Sequence, residues 1–269
     1  RPSKKAPRAR STTRKPLPPV ARIAARVPLS HFPAATRFTD WSAWTGLQST
    51  TSLGRSLPDP LRDPTFKALA EEHVFTFAGP CAYTRNGAIG DVALWFHPDV
   101  EKAATGSASP FDTGALEKGH LRPWQTKPID ERRAFFDRTR APVPGWRARF
   151  EAWLSESYSD ARRYLETDQG RDASGHPDLA DPDGVFAANK GTDRRAWTWE
   201  VRFERRVPLG DVEALLLPRR LLKVARNWRA ARGSGRKVEF FLLTRETAVA
   251  ADDLFRESGR VCKKLVGLR

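Results

Sequence analysis

The sequence predicts an α+β fold, because short strands and helices follow one another along the chain without regular strand–helix alternation. The 269 residues contain no internal repeat. The apolar fraction of 39%, with nine tryptophans and fifteen phenylalanines, is enough to build a sizeable core. These observations favour a mixed domain over a regular βα array or a repeat protein.

Residues 1–26 are predicted to be a disordered basic arm or linker that precedes a single domain at 27–269. The arm holds nine lysines and arginines, five prolines and no acidic residue. Such a composition buries too little apolar surface to fold by itself. The arm could follow phosphates or serve as a solvated spacer. Methionine is absent even at position 1, which indicates a start that is cut, processed or internal.

In the first half of the domain, the hydrophobic pattern predicts three strands, which lie at 27–32, 74–77 and 92–96. Two helices are expected between the strands, at 40–47, where Gly46 closes the helix, and at 64–73. Residues 104–130 are predicted to be mostly loop.

In the second half, the strongest helical pattern covers 145–166. A loop rich in glycine, aspartate, asparagine and proline is predicted at 167–194. The remaining elements are a strand around Glu200, a basic helix at 219–232, a buried strand at 238–243 and a helix at 247–266.

The strand around Glu200 carries the leading functional hypothesis. Alternation predicts one aromatic and apolar face, formed by Trp197, Trp199, Val201 and Phe203. Thr198, Glu200 and Arg202 share the other face, and 207–209 ends the strand. A rigid carboxylate that follows a loop suits the transfer of ADP-ribose from NAD, since the carboxylate can stabilise positive charge on the ribose.

A structural role for Glu200 is the alternative. The carboxylate could pair with Arg202 or Arg205 on a solvated strand face without any catalytic function, and structural ion pairs outnumber sites.

Two short motifs resemble the DarT-like ADP-ribosyltransferases of the PARP-like branch. The first is Leu29-Ser30-His31-Phe32, followed by a Gly-Leu step and hydroxyl residues at 46–50. The second is Trp199-Glu200-Val201, followed by Val207-Pro208. The resemblance implies a mostly antiparallel split sheet with flanking helices, NAD as the substrate, Glu200 as the catalytic residue and His31 as a ligand of the nicotinamide-side ribose. It also implies a role in toxin action or phage defence, and it leaves any antitoxin or regulatory partner open.

The rest of the NAD site is assigned by residue type. Tyr83, at the place of the family's second position, can stack on the nicotinamide ring, and Thr50 belongs to the hydroxyl cluster after Gly46. Arg85 and Arg55 are candidates for the pyrophosphate, with plain surface charge as the alternative. The Asp112-Thr113-Gly114 triplet is predicted to organise a turn, with a contact to cofactor or substrate as the lesser alternative.

Nucleic acid is the predicted macromolecular partner, because the net charge is +15. The basic helix supplies a candidate surface for single-stranded DNA or RNA, formed by Arg219, Lys223, Arg226, Arg229 and Arg232. Its Trp228 could stack on a base or pack into the core. A non-catalytic nucleic-acid-binding protein, or a nuclease, is the rival function.

Several other classes find no support in the sequence. The histidines are scattered and lack paired acidic ligands at metal spacing, so no metal is expected, and no P-loop or GxGxxG motif occurs. Two isolated cysteines predict neither a disulfide framework nor a zinc site. With no signal peptide and no spanning segment, a cytoplasmic location is expected.

Overall fold

A computed structural model describes residues 19–32, 46–48, 73–80, 92–103, 105–166, 194–196, 198–204, 206–231, 236–243 and 251–268. The strands are β1 (Leu29–His31), β2 (Gly46–Gln48), β3 (His73–Ala78), β4 (Ala93–Phe96), β5 (Gly106–Ser109), β6 (Ala141–Pro142), β7 (Glu200–Glu204), β8 (Arg206–Pro208), β9 (Val212–Leu217) and β10 (Glu239–Leu242). The α-helices are α1 (Pro19–Arg26), α2 (Thr113–Glu117), α3 (Ile129–Thr139), α4 (Trp146–Ser157), α5 (Leu222–Ala231) and α6 (Ala251–Val266).

Eight strands form the central sheet, in the order β10-β9-β4-β1-β3-β7-β5-β6, and β2 pairs with β8 in a separate sheet. Among the described strands, only β9 and β10 run parallel, with α5 between them in the chain. The other pairs are antiparallel. The predicted α+β class, with a mostly antiparallel sheet and flanking helices, is confirmed.

Helices cover both faces of the sheet near β7. On one face, Trp199 packs against Trp146, Phe150 and Trp153 of α4, with ring centroids 5.6 to 6.3 Å apart. On the other face, Thr113 of α2 bonds to Glu200, and Phe136 of α3 lies under the Arg202 guanidinium. The side chains of strand β7 therefore present an apolar face to α4 and a polar face to α2 and α3.

The prediction of a disordered arm over residues 1–26 is wrong at its C-terminal end, because residues 19–26 form helix α1. Proline is well suited to open a helix, and Pro19 does so here. Ile23 and Ala24 are buried. Arg147 donates to the carbonyls of Ala24 and Val27, at 2.7 and 3.0 Å, and so satisfies the end of the helix.

Other segments also differ from the expectations. Residues 104–130, expected as loop, contain β5 and α2. Gly46 and Leu47, expected to end a helix, pair with β8 instead. The helix expected at 145–166 ends at Ser157, because Tyr158 is extended and a 3₁₀ turn follows at Ala161–Leu165. No helix in the described part of the chain has both the length and the apolar character needed to cross a bilayer.

Candidate active site

Glu200 lies in the middle of the sheet, on a strand whose alternation is as predicted. In the register of β7, Glu200 is opposite Phe77 of β3 and Ser109 of β5. Trp199, Val201 and Phe203 are buried on the aromatic side, whereas Trp197 lies outside the described residues. The strand begins at Glu200, and Arg194–Ala196 form a 3₁₀ turn rather than its first residues.

The carboxylate of Glu200 is buried and held by two donors. The side chain is 3% exposed. Thr113 Oγ1 donates a short hydrogen bond to Oε1, and the Arg202 guanidinium lies 3.3 Å from the same oxygen. Because residues two apart on a strand share a face, Arg202 reaches Glu200 without distorting the backbone. The predicted pairing of Glu200 with Arg202 is therefore present, but the strand face that was expected to be solvated is buried.

Helix α2 positions the Thr113 donor. Asp112 is its N-cap and accepts from the backbone N–H of Ala115 at 2.7 Å. The N–H of Asp112 donates to the carbonyl of Arg195 at 2.8 Å, which ties the cap to the chain just before β7. The Asp112-Thr113-Gly114 triplet was predicted to organise a turn, and in the structure it does so as the N-terminal cap of α2.

Two opposing effects set the charge state of Glu200. Burial raises the pKa of its carboxyl, and the negative charge of Asp112 raises it further. The Arg202 guanidinium and the hydrogen bonds from Thr113 lower it. Burial prevails, so the pKa of Glu200 is above the usual range. Burial also lowers the pKa of Arg202, but not enough to discharge it at neutral pH.

His31 and Glu200 do not line one cleft, contrary to what the resemblance implies. Ser30 is opposite Phe77, which in turn is opposite Glu200, so these three side chains share a face. His31, one residue further along β1, points to the opposite face, since strand side chains alternate. Its Nδ1 lies 2.8 Å from the carbonyl oxygen of Phe75.

The remaining predicted NAD ligands lie outside the described residues. They are Thr50, Tyr83 and Arg85, together with Arg55. The described residues contain no group of three histidine, cysteine, aspartate or glutamate side chains that could hold a metal ion.

A surface cleft of roughly 450 Å³ opens at the far end of the Glu200 face of β7. Glu204 and His73 are cross-strand partners there. Thr105 Oγ1 donates to Glu204 at 2.8 Å. The other residues lining the cleft are Gly106, Ser107, Asp137, Arg140, Ala141 and Pro142. Sequence reasoning did not find this cleft, because its residues come from four separate segments.

The basic helix is present as a 3₁₀ turn at Arg219–Leu221 followed by α5. Arg219, Lys223, Arg226 and Arg229 are exposed, and the Arg229 guanidinium lies 4.9 Å from the ring centre of Phe240. Arg232 lies outside the described residues. Trp228 is only 2% exposed, so it belongs to the core and cannot stack on a base. Core packing, one of the two predicted roles of Trp228, is therefore the correct one.

Comparison with known proteins gives structural neighbours only. No protein-family model matches the chain, and no curated protein matches it. Similar solved structures include DarT from Thermus sp. 2.9 in complex with NAD⁺, at 9% identity and a TM-score of 0.38, covering 82% of this chain and 96% of that one. The same protein in complex with ADP-ribosylated ssDNA gives 8% identity, a TM-score of 0.41 and coverages of 82% and 94%.

Proposed function

We propose that this protein transfers ADP-ribose from NAD to a nucleic-acid acceptor, with Glu200 as the catalytic carboxylate. The observation that carries the proposal is the placement of Glu200. It is fixed on a central strand by two donors, in a Trp-Glu-Val segment that leads to Val207-Pro208. The toxin or phage-defence role that the sequence resemblance implies belongs to the same proposal.

The chemistry needs a carboxylate of this kind. The bond between the anomeric carbon and the nicotinamide nitrogen breaks, and its electron pair leaves with nicotinamide. Positive charge develops on the ribose, and an ionised carboxylate nearby stabilises it. The acceptor nucleophile then bonds to the anomeric carbon, and Glu200 takes the acceptor's proton.

Access to Glu200 is part of the proposal. Since the side chain is 3% exposed, a ribose can reach it only after groups packed around it have moved. Thr113 at the start of α2 is one such group, because it contacts the carboxylate directly. NAD binding is therefore expected to separate Thr113 from Glu200.

Charge supports nucleic acid as the acceptor class. The net charge of +15 favours association with a polyanion, and the exposed basic residues of the 3₁₀ turn and α5 can contact phosphates. Because Trp228 is buried, this surface is proposed to bind the backbone without stacking on bases.

A non-catalytic nucleic-acid-binding protein is the second candidate, and one observation favours it. Glu200 already has two partners inside the core, which is how a purely structural carboxylate is held.

The Glu200→Gln variant separates the two functions, because it keeps the size of the side chain but removes its charge. Nicotinamide release is measured with single-stranded DNA and RNA as acceptors. Catalysis by Glu200 predicts a loss of roughly 10²- to 10³-fold, as when one charge-stabilising group is removed. The matched control is Glu101→Gln, which neutralises another ion-paired carboxylate, the partner of Arg147. Equal release from the wild type and Glu200→Gln rules Glu200 out, and no release from the wild type favours the binding protein.

A further inference from the structure

Arg202 carries a charge that is fully removed from solvent. Its side chain is 0% exposed, and the guanidinium lies 4.6 Å from the ring centre of Phe136. Burying a charge costs several kcal/mol unless its partners compensate, so the contacts of this side chain require an explanation.

Those contacts are poor as a stabilising arrangement. One terminal nitrogen faces Glu200 Oε1 at 3.3 Å, and the other donates to Ser109 Oγ at 2.8 Å. The contact with Glu200 therefore involves one oxygen rather than the two of a bidentate pair. The buried Nε has no hydrogen-bond partner among the described residues. An arginine present only to stabilise the core is expected to satisfy all its donors.

The charges around Glu200 give Arg202 a specific role. Asp112, at the cap of α2, acts against ionisation of Glu200, and Arg202 acts for it. Arg140, which follows α3, is a second cation near Arg202. The residues opposite Glu200 on the neighbouring strands, Phe77 and Ser109, carry no charge. Arg202 is thus the cation in contact with the carboxylate.

Resting on the proposed function, we infer that Arg202 is a positioning residue, which fixes the direction of Glu200 Oε1 and favours the ionised form of this carboxylate against the effect of its burial. The catalytic contact with the ribose belongs to Glu200, and Arg202 acts only through it. Ser109 supports Arg202 in turn, by accepting from its second terminal nitrogen.

The test is the pH profile of kcat/KM for nicotinamide release, compared among wild type, Arg202→Met and Arg202→Lys. Without the cation, Glu200 ionises at higher pH. The acidic limb of Arg202→Met should therefore move up by about one pH unit or more, which is roughly tenfold lower activity below the limb. Arg202→Lys keeps the charge and should restore most of the shift.

Arg147→Met is the matched control, because it removes the arginine of a second shielded ion pair, with Glu101 at 2.6 Å. It should lower the melting temperature without moving the limb. A folded Arg202→Met protein with an unmoved limb overturns the inference.

A second measurement needs no nicotinamide release. The infrared difference between a protein and its Glu200→Gln variant, recorded over a pH series, reports the Glu200 carboxyl directly. The inference predicts that this carboxyl ionises at lower pH in the wild type than in Arg202→Met, and equal midpoints overturn it. If the wild type releases no nicotinamide at all, the proposed function fails, while the infrared result still decides whether Arg202 favours ionisation of Glu200.

Discussion

Glu200 and Arg202 stand two residues apart on one strand, and their charged groups lie 3.3 Å apart inside the protein. Neither side chain is more than 3% exposed. The low-dielectric surroundings strengthen the attraction between the two charges, but burying the pair also costs the free energy of desolvating both of them. Its behaviour with pH therefore differs from that of a surface ion pair.

The stability of the wild type should fall relative to Glu200→Gln as the pH rises above the usual glutamate pKa. Because the folded-state pKa of Glu200 is raised, the unfolded chain releases this proton first, and ionisation favours unfolding. The contribution of Glu200 to the free energy of unfolding is fully present below its pKa in the unfolded chain. It is lost as the pH rises, and it stays constant above the pKa of Glu200 in the folded protein. The slope is at most about 1.4 kcal/mol per pH unit. Urea unfolding of both proteins from pH 4 to 9 measures it, and parallel curves contradict the prediction.

Thr113→Val should destabilise the protein by about 1.5–3 kcal/mol, because it removes a buried donor to a charged acceptor. Thr139→Val is the control, since the Thr139 hydroxyl bonds only to carbonyls of its own helix, at 2.9 and 3.2 Å. A double-mutant cycle of Thr113→Val with Glu200→Gln, followed by chemical unfolding, measures the coupling. Additive effects mean that the hydroxyl does not stabilise the carboxylate.

His31→Ala should leave nicotinamide release per folded molecule close to wild type. The reason is that His31 points to the face opposite Glu200. The variant removes the imidazole that bonds to the Phe75 carbonyl, so a modest drop in melting temperature is expected. A large loss of turnover at normal stability would show that the two side chains meet during the reaction.

The Arg226→Gln variant should show a weaker salt dependence of its affinity for single-stranded DNA. The slope of log affinity against log salt concentration should decrease in magnitude by roughly one for each phosphate that the helix no longer binds. Arg229→Gln should have a smaller effect on the slope, because its guanidinium is also engaged by Phe240. Arg149→Gln, an equal charge change on the exposed side of α4, is the control. If the slope changes as much for Arg149→Gln as for Arg226→Gln, α5 is not a specific contact surface.

The sequence predicted those features that depend on local patterns. The alternation of Trp199, Val201 and Phe203 is visible within one strand, and the basic helix is indicated by its period and by Pro218. Strand β5 could not be predicted, because Gly-Ser-Ala-Ser has a low strand propensity and becomes a strand by pairing with β7.

Local sequence patterns could not predict that His31 and Glu200 point to opposite faces of the sheet. It depends on the register of β1 with β3 and of β3 with β7, where a shift of one residue exchanges the faces. The burial of Trp228 was left open for a similar reason, since a helical pattern does not say what packs against it.

The division of β7 into an aromatic face and a polar face has an evolutionary consequence. Trp199, Val201 and Phe203 anchor the strand on the face opposite the side chains of Glu200 and Arg202. Paired changes at Glu200 and Arg202 that keep their charges balanced can therefore alter this face while the aromatic layer preserves the architecture. Removing one partner alone leaves an uncompensated buried charge, so the two positions are expected to change together during evolution.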